Sequence, residues 1–182
     1  MKVLPTDIPD VLVFEPERHG DHRGYFVETW REDVFRSAGV GSSFVQDNQS
    51  SSHQGVLRGL HYQIRQPQGK LVRVISGTVF DVAVDLRRSS PTFGRWVGVE
   101  LSAANNRLIW VPPGFGHGFY VLSEQAEFVY KCTDYYAREH ERVIRFDDPD
   151  IGIHWPLVAG VQTVLSDKDL GGVAFAQADL FD

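Results

Sequence analysis

The chain has 182 residues, 42% of them hydrophobic, which is enough for one domain spanning 1–182 that buries a real core. Its formal net charge of -6 gives no electrostatic footprint for nucleic acid or an anionic membrane surface, and seventeen glycines and nine prolines argue against a helical bundle. A single cysteine, Cys132, excludes an intramolecular disulfide, no window is apolar enough to span a bilayer, and the start Met-Lys-Val-Leu-Pro-Thr-Asp lacks a signal peptide's apolar run, so a reduced, cytoplasmic location is expected.

Val11 to Phe14 reads as a short apolar strand, followed by a polar loop from Glu15 to Gly24. Tyr25 to Trp30 is extended. From Arg31 to Ala38, Val34, Phe35 and Ala38 fall at helical spacing before Gly39, predicting one short amphipathic helix. Phe44 to Asn48 precedes Ser50-Ser51-Ser52, which reads as a loop.

The stretch from Gly55 to Lys70 concentrates a guanidinium, an imidazole and an ammonium in strand-like sequence. Regular alternation from Val56 to Ile64 puts Leu57, Gly59, His61 and Gln63 on one face and Arg58, Leu60, Tyr62 and Ile64 on the other. Gly59 also suits a close approach or a bulge that turns Arg58 to the side of His61. Either arrangement lines a cavity, although a core histidine bonded to a backbone carbonyl would give His61 the same surroundings.

Leu71 to Leu86 reads as a hairpin turning at Ser76-Gly77, whose second arm has an apolar face of Phe80, Val82, Val84 and Leu86 and a face carrying Asp81 and Asp85. Further strands are expected over Arg95 to Leu101, Leu108 to Val111, Gly118 to Leu122 and Glu127 to Thr133, punctuated by Ala104-Asn105-Asn106 and Pro112-Pro113-Gly114. This succession of short strands predicts an all-β sandwich or barrel of the jelly-roll kind, with Ile151 to Leu180 wrapped around it in loops and short helices.

Neither a dinucleotide-binding Gly-x-Gly-x-x-Gly nor a phosphate-binding loop ending in Lys-Ser or Lys-Thr occurs. His61-Tyr62-Gln63 supplies one imidazole where many jelly-roll metal sites supply two, and His117 is a second candidate ligand without a third; a loop histidine making hydrogen bonds fits His117 equally. No metal and no cofactor are expected.

Six blocks occur in order: Arg23-Gly24-Tyr25-Phe26-Val27-Glu28, Phe44-Val45-Gln46-Asp47-Asn48, Val56-Leu57-Arg58-Gly59-Leu60-His61, Gln68-Gly69-Lys70-Leu71-Val72-Arg73, Phe80-Asp81-Val82-Ala83-Val84-Asp85 and Gly114-Phe115-Gly116-His117-Gly118-Phe119. Together they resemble the dTDP-4-dehydrorhamnose 3,5-epimerase family, roughly from Ile8 to Leu157. The resemblance implies a metal-free, cupin-type jelly-roll (double-stranded β-helix) barrel with a few short helices. It also implies a homodimer that exchanges an N-terminal segment, and an isomerase converting dTDP-4-dehydro-6-deoxy-D-glucose to dTDP-4-dehydro-L-rhamnose.

Inverting a carbon beside a ketone requires removing a proton on one face, holding the enolate, and returning a proton on the other. A neutral imidazole suits the first task, and His61 is the candidate base. The resemblance points to Asp169 as its carboxylate partner, a residue that with Ser166 also reads as a helix capping box. Lys70 is the candidate for the enolate oxygen. Tyr130 resembles the opposite-face acid, and alternation turns it inward with Phe128 and Cys132, as it would a core tyrosine.

A nucleoside diphosphate calls for guanidinium forks and aromatic faces. By resemblance Arg23, Glu28, Gln46, Asn48 and Arg58 contact the nucleotide and phosphates, Tyr136 lies near the base, and Glu141 and Lys168 lie at its edge. Phe26, Asp47 and His117 complete the expected substrate-binding set, and Arg23 to Glu28 is expected to reach a neighbouring subunit. Two positions depart from the family: Gln49 where histidine is frequent, and Gly116 where alanine is. A C3-only epimerase, a non-catalytic sugar-nucleotide-binding jelly roll and a metal-dependent oxygenase remain alternatives.

Overall fold

The computed structural model describes residues 1–41 and 43–182. Four short strands, β1 (Lys2–Pro5), β2 (Leu12–Glu15), β3 (Arg18–Asp21) and β4 (Gly24–Val27), precede helix α1 (Glu32–Ser37). The central strands are β5 (Gln46–His53), β6 (Leu57–Gln63), β7 (Lys70–Ser76), β8 (Thr78–Asp85), β9 (Trp96–Ser102), β10 (Leu108–Val111), β11 (Phe115–Val121) and β12 (Gln125–Cys132). A short β13 (Glu141–Val143) and helix α2 (Asp167–Leu170) follow. No helix among the described residues is long and apolar enough to cross a membrane.

Two sheets face each other as a jelly roll: six strands in the order β1-β2-β10-β7-β12-β5, and five in the order β13-β6-β11-β8-β9. Alternation divides each strand between two environments. Val72, Val74, Ile109, Val111, Val79 and Ala83 point between the sheets into the main core. Their neighbours Leu71, Leu108 and Trp110 point outward beneath α1, where Phe35 is completely buried. Phe14, Phe35, Trp30 and Phe44 form a chain of rings with centroids 4.2, 4.4 and 4.8 Å apart, each pair worth about 1 kcal/mol beyond its buried area. On the other flank, Val82, Val84 and Leu86 meet Ile144, Ile151 and Ala178 of the C-terminal wrap. The apolar face of β8 is thus covered by that segment.

Four local expectations are corrected. The serine run lies inside β5, paired with β12 from Gln46↔Cys132 to His53↔Gln125. Its polarity reflects position, because Asn48 and Ser50 line a cavity rather than the core. The segment Glu15 to Gly24 is not all loop, since β3 pairs with β4 in a separate two-stranded sheet. Ser76-Gly77 does not close a hairpin, because β7 and β8 belong to different sheets. Gly77, at φ +76° and with no room for a Cβ beside the Gln125 carbonyl oxygen 2.0 Å away, carries the chain across. Finally, β11 begins at Phe115, so His117 sits within a strand.

Candidate active site

Beside Phe119 and Phe128, the space between the sheets opens into a cavity of about 320 Å³. Its floor is set by an irregularity in β6. A two-residue step along β11, from His117 to Phe119, is matched by a three-residue step along β6, from His61 to Arg58. The extra residue is accommodated at Gly59, whose φ is +118° and where a Cβ would lie 2.5 Å from the Gly118 Cα. Arg58 and His61 therefore both face the cavity, while Leu60 and Tyr62 turn to the outer cluster. Regular alternation over this strand is corrected in favour of the bulge.

His61 Nε2 donates to Asp169 Oδ1 at 2.6 Å. Asp169 is 3% exposed and is held on every side: Oδ1 also accepts from the Gly59 N–H at 3.1 Å, and Oδ2 accepts from the Ser166 hydroxyl at 2.5 Å. Ser166 is at the same time the N-cap of α2, accepting from the Asp169 N–H. The capping box and the dyad are one structure. Because the carboxylate accepts a hydrogen bond from Nε2–H, neutral His61 keeps its lone pair on Nδ1.

Lys70 opens β7 opposite Cys132, and Tyr130 follows Phe128 on the inner face of β12, with ring centroids 5.8 Å apart. Both line the same cavity as His61. His117 faces His61 across the strand pair and donates from Nε2 to Asp81, with both carboxylate oxygens at 3.0 Å. Asp81 is completely buried, and the sequence reading placed it on the carboxylate face of this arm without giving it a part in the site. Its signal was available in the alternation of β8, which set a carboxylate on the inward face.

At the mouth, Glu141 accepts from Lys168 Nζ at 2.9 Å and from the Tyr136 hydroxyl at 2.9 Å. Gln46 Oε1 accepts from the Tyr136 N–H at 2.9 Å and Gln63 Oε1 from the Ala137 N–H at 2.8 Å, so two strand glutamines fix the segment carrying the aromatic ring. Arg58 donates to the Ser52 hydroxyl and leaves its charge toward the cavity.

Burial depresses the His61 pKa below its usual 6.5, outweighing the opposing hydrogen bond to Asp169, and nearby Lys168 and Lys70 lower it further. Burial opposes the charge on Asp169, yet donation from His61, Ser166 and Gly59 prevails and holds the carboxyl well below the ordinary range. Burial pushes Tyr130 up to about 12. It lowers Lys70, against the pull of Asp81 and Glu141. The cavity thus holds a neutral base, a protonated phenol and a buried amine. Among the described residues no group of three or more His, Cys, Asp or Glu side chains gathers as a metal site would require.

Residues 5–177 match the model of the dTDP-4-dehydrorhamnose 3,5-epimerase family. The chain belongs to that family. A dTDP-4-dehydrorhamnose 3,5-epimerase of Pseudomonas aeruginosa is 60% identical over 182 residues, covering 100% of this chain and 99% of the relative. The crystal structure of a 3,5-epimerase from Legionella pneumophila in complex with dTDP-4-keto-L-rhamnose superposes with a TM-score of 0.94 at 51% identity, covering 98% of this chain and 94% of that one. A 3'-monoepimerase from Streptomyces bikiniensis in complex with dTDP-quinovose gives 0.87 at 38%, covering 94% and 87%. The fold is the cupin-type jelly roll of these enzymes.

Within this epimerase-family chain, the cavity gathers His61, Lys70, Tyr130, Asn48, Arg58, His117, Tyr136, Glu141 and Lys168, with Asp169 directly behind His61. Gln46 acts on Tyr136 from outside the lining. Asp47 points away, pairing with Lys131 at 2.8 Å over a shallower trough of about 560 Å³ on the outer sheet face. Arg23 and Phe26 lie on the β3–β4 hairpin, where Phe26 is 69% exposed, and Glu28 pairs with Arg31 at 3.7 Å; none of the three lines the cavity of its own chain. Of the two departures from the family, Gly116 faces the outer cluster, whereas Gln49 borders the cavity on β5. A Cβ on Gly116 would meet Leu86 and Leu60 of the outer cluster, and Gln49 donates to Glu127 at 3.1 Å on the edge strand.

Proposed function

We propose that this epimerase-family chain inverts C3 and C5 of dTDP-4-dehydro-6-deoxy-D-glucose, giving dTDP-4-dehydro-L-rhamnose. The observation that carries the reading is the buried His61–Asp169 pair opening onto the same cavity as Tyr130 and Lys70.

His61 Nδ1 takes the proton from the carbon next to the C4 ketone, and the bonding electrons move onto the carbonyl oxygen. Asp169 stabilises the imidazolium that forms. Lys70, as an ammonium, stabilises the enolate oxygen in a site with little competing water. The Tyr130 hydroxyl then returns a proton to the carbon from the opposite face, and the phenolate recovers a proton through solvent as His61 loses its own. Electrons return to the carbon, and no redox partner is consumed. The same groups serve C3 and C5 in turn.

Arg58 suits the diphosphate and Tyr136 the pyrimidine face, with Lys168 and Glu141 at its edge. We take the active species as a homodimer in which Arg23, Phe26 and Glu28 serve the neighbouring site. Three features support this: the projecting hairpin, the unpaired outer edge of β5, and the uncovered trough beside it. The one cysteine, completely buried, suits a reducing cytoplasm.

The test is incubation with the nucleotide sugar in deuterated water. Deuterium at both C3 and C5 is the expected result. Label at C3 alone would make this a mono-epimerase like the Streptomyces bikiniensis protein, and binding with no exchange would leave a sugar-nucleotide-binding module.

A further inference from the structure

Asp169 has four acceptor positions, and only one of its partners is the base. Oδ1 is shared between His61 Nε2 and the Gly59 N–H, while Oδ2 takes the Ser166 hydroxyl at 2.5 Å and the Ser166 N–H at 3.4 Å. A serine needed only as an N-cap would accept from the helix N–H. Ser166 does that at 3.2 Å and in addition donates its own proton to the carboxylate.

We propose that Ser166 is a positioning residue for the base: its hydroxyl fixes the Asp169 carboxylate against the His61 ring and draws charge toward Oδ2, so that His61 meets the substrate neutral. A carboxylate without the serine donor would concentrate more of its charge on the imidazole and favour the imidazolium, leaving less of the ring free to act as a base. This inference rests on the assignment of His61 as the base.

The other charged and titratable groups lining the cavity around His61 include Arg58 on its own strand, Lys70 on β7, His117 on β11, Tyr130 on β12, Glu141 on β13, Lys168 on α2 and Tyr136 at the mouth. Lys70 and Lys168 disfavour the imidazolium, as does burial. Ser166 acts in the same direction through Asp169. It is two residues from Lys168 at the rim, so the short helix sets both the mouth of the cavity and the strength of the base within it.

The experiment separates capping from base tuning. Three variants are compared with the parent: Ser166→Thr keeps the hydroxyl, Ser166→Gly keeps a tolerated N-cap without it, and Ser166→Ala removes both. The His61 ring is titrated by NMR without substrate, and the acid limb of kcat/KM is measured with the dTDP-4-keto sugar. The expected result is a His61 midpoint raised by about half to one pH unit in both the Gly and Ala variants, matched by the acid limb, with Thr restoring the parent value. An unchanged His61 midpoint in Ser166→Gly, or a lowered one, would overturn the proposal and leave Ser166 a helix cap. The NMR titration needs no turnover, so it reads the role of Ser166 even if the parent catalyses no exchange; absence of exchange would count against the epimerase reading alone.

Discussion

His61 and His117 stand opposite each other in register on β6 and β11, and each donates from Nε2 to a buried carboxylate, Asp169 at 2.6 Å and Asp81 at 3.0 Å. The two pairs differ in their surroundings. Asp169 has three further donations from backbone and serine, whereas Asp81 has His117 as its side-chain partner and lies near Lys70. In the proposed reaction the first pair serves proton transfer, and the second orients an imidazole that lines the cavity while favouring the charge on the neighbouring amine.

Asp81→Asn keeps the shape and removes that charge. The amide no longer dictates which His117 nitrogen carries the proton, and kcat/KM is expected to fall by roughly tenfold to a hundredfold. Because Asp81 raises the Lys70 pKa against burial, its loss should also move the alkaline limb of the pH profile to lower pH. An alkaline limb that stays in place would separate Asp81 from Lys70.

The Tyr130 role is tested by Tyr130→Phe, which leaves the base and the enolate cradle intact. Proton removal and return by His61 on one face should continue. Deuterium should then enter the substrate with retained configuration, while net inversion falls by about a hundredfold or more. Equal loss of exchange and inversion would place Tyr130 upstream of proton removal instead.

The pH profile follows from two buried groups. As the proposed base His61 must be unprotonated to act, and burial lowers its pKa, so the acid limb of kcat/KM should have its midpoint below 6.5. At the other end Tyr130 keeps its proton to about 12, whereas Lys70 is lowered from 10.5 by burial, so the alkaline limb belongs to Lys70. A profile measured with a pH-independent coupling assay checks both assignments. An acid limb above pH 6.5 would contradict the first.

Much of the barrel was legible because its strands separate an apolar face from another environment at period two, as in β8 and β10, and α1 showed its apolar stripe before Gly39. The strand β5 was not legible over its serines. It borders a polar cavity, so the alternation that marks a half-buried strand is missing where function needs hydrogen-bonding side chains. The crossing at Gly77 was hidden too, since a glycine between two strands signals a hairpin unless the pairing partners are known. Asp169 lies 108 residues from His61, a separation that no local pattern spans, and only the family resemblance connected them.

Gly59 joins fold and site, and Gly59→Ala should damage both. The substitution places a side chain at φ +118° with its Cβ 2.5 Å from a backbone atom of β11. The loss is expected to be about 3 kcal/mol or more, which for a chain of this size lowers the melting temperature by roughly 6–12 °C. Gly116→Ala is the matched control, because its Cβ meets the flexible end of Leu86 on the outer face; activity there should stay within about twofold. Thermal denaturation and turnover of the two variants give the comparison.

The proposed exchange of the N-terminal hairpin is tested by complementation. In a mixed dimer of His61→Ala and Arg23→Ala subunits, exchange puts both lesions into one site and leaves the other complete. If each hairpin served its own subunit, every site would carry one lesion. Arg23 is expected to hold phosphate and so to act through substrate affinity, and its own pairing with Asp21 on the projecting hairpin leaves the barrel intact when it is removed. Each variant alone should therefore be folded and of low activity at limiting substrate, and co-refolding an equal mixture should restore about a quarter of the parental activity per total site, the statistical share when half of the dimers are mixed. Activity no greater than the mean of the two separate variants would show that the hairpin does not cross to its neighbour.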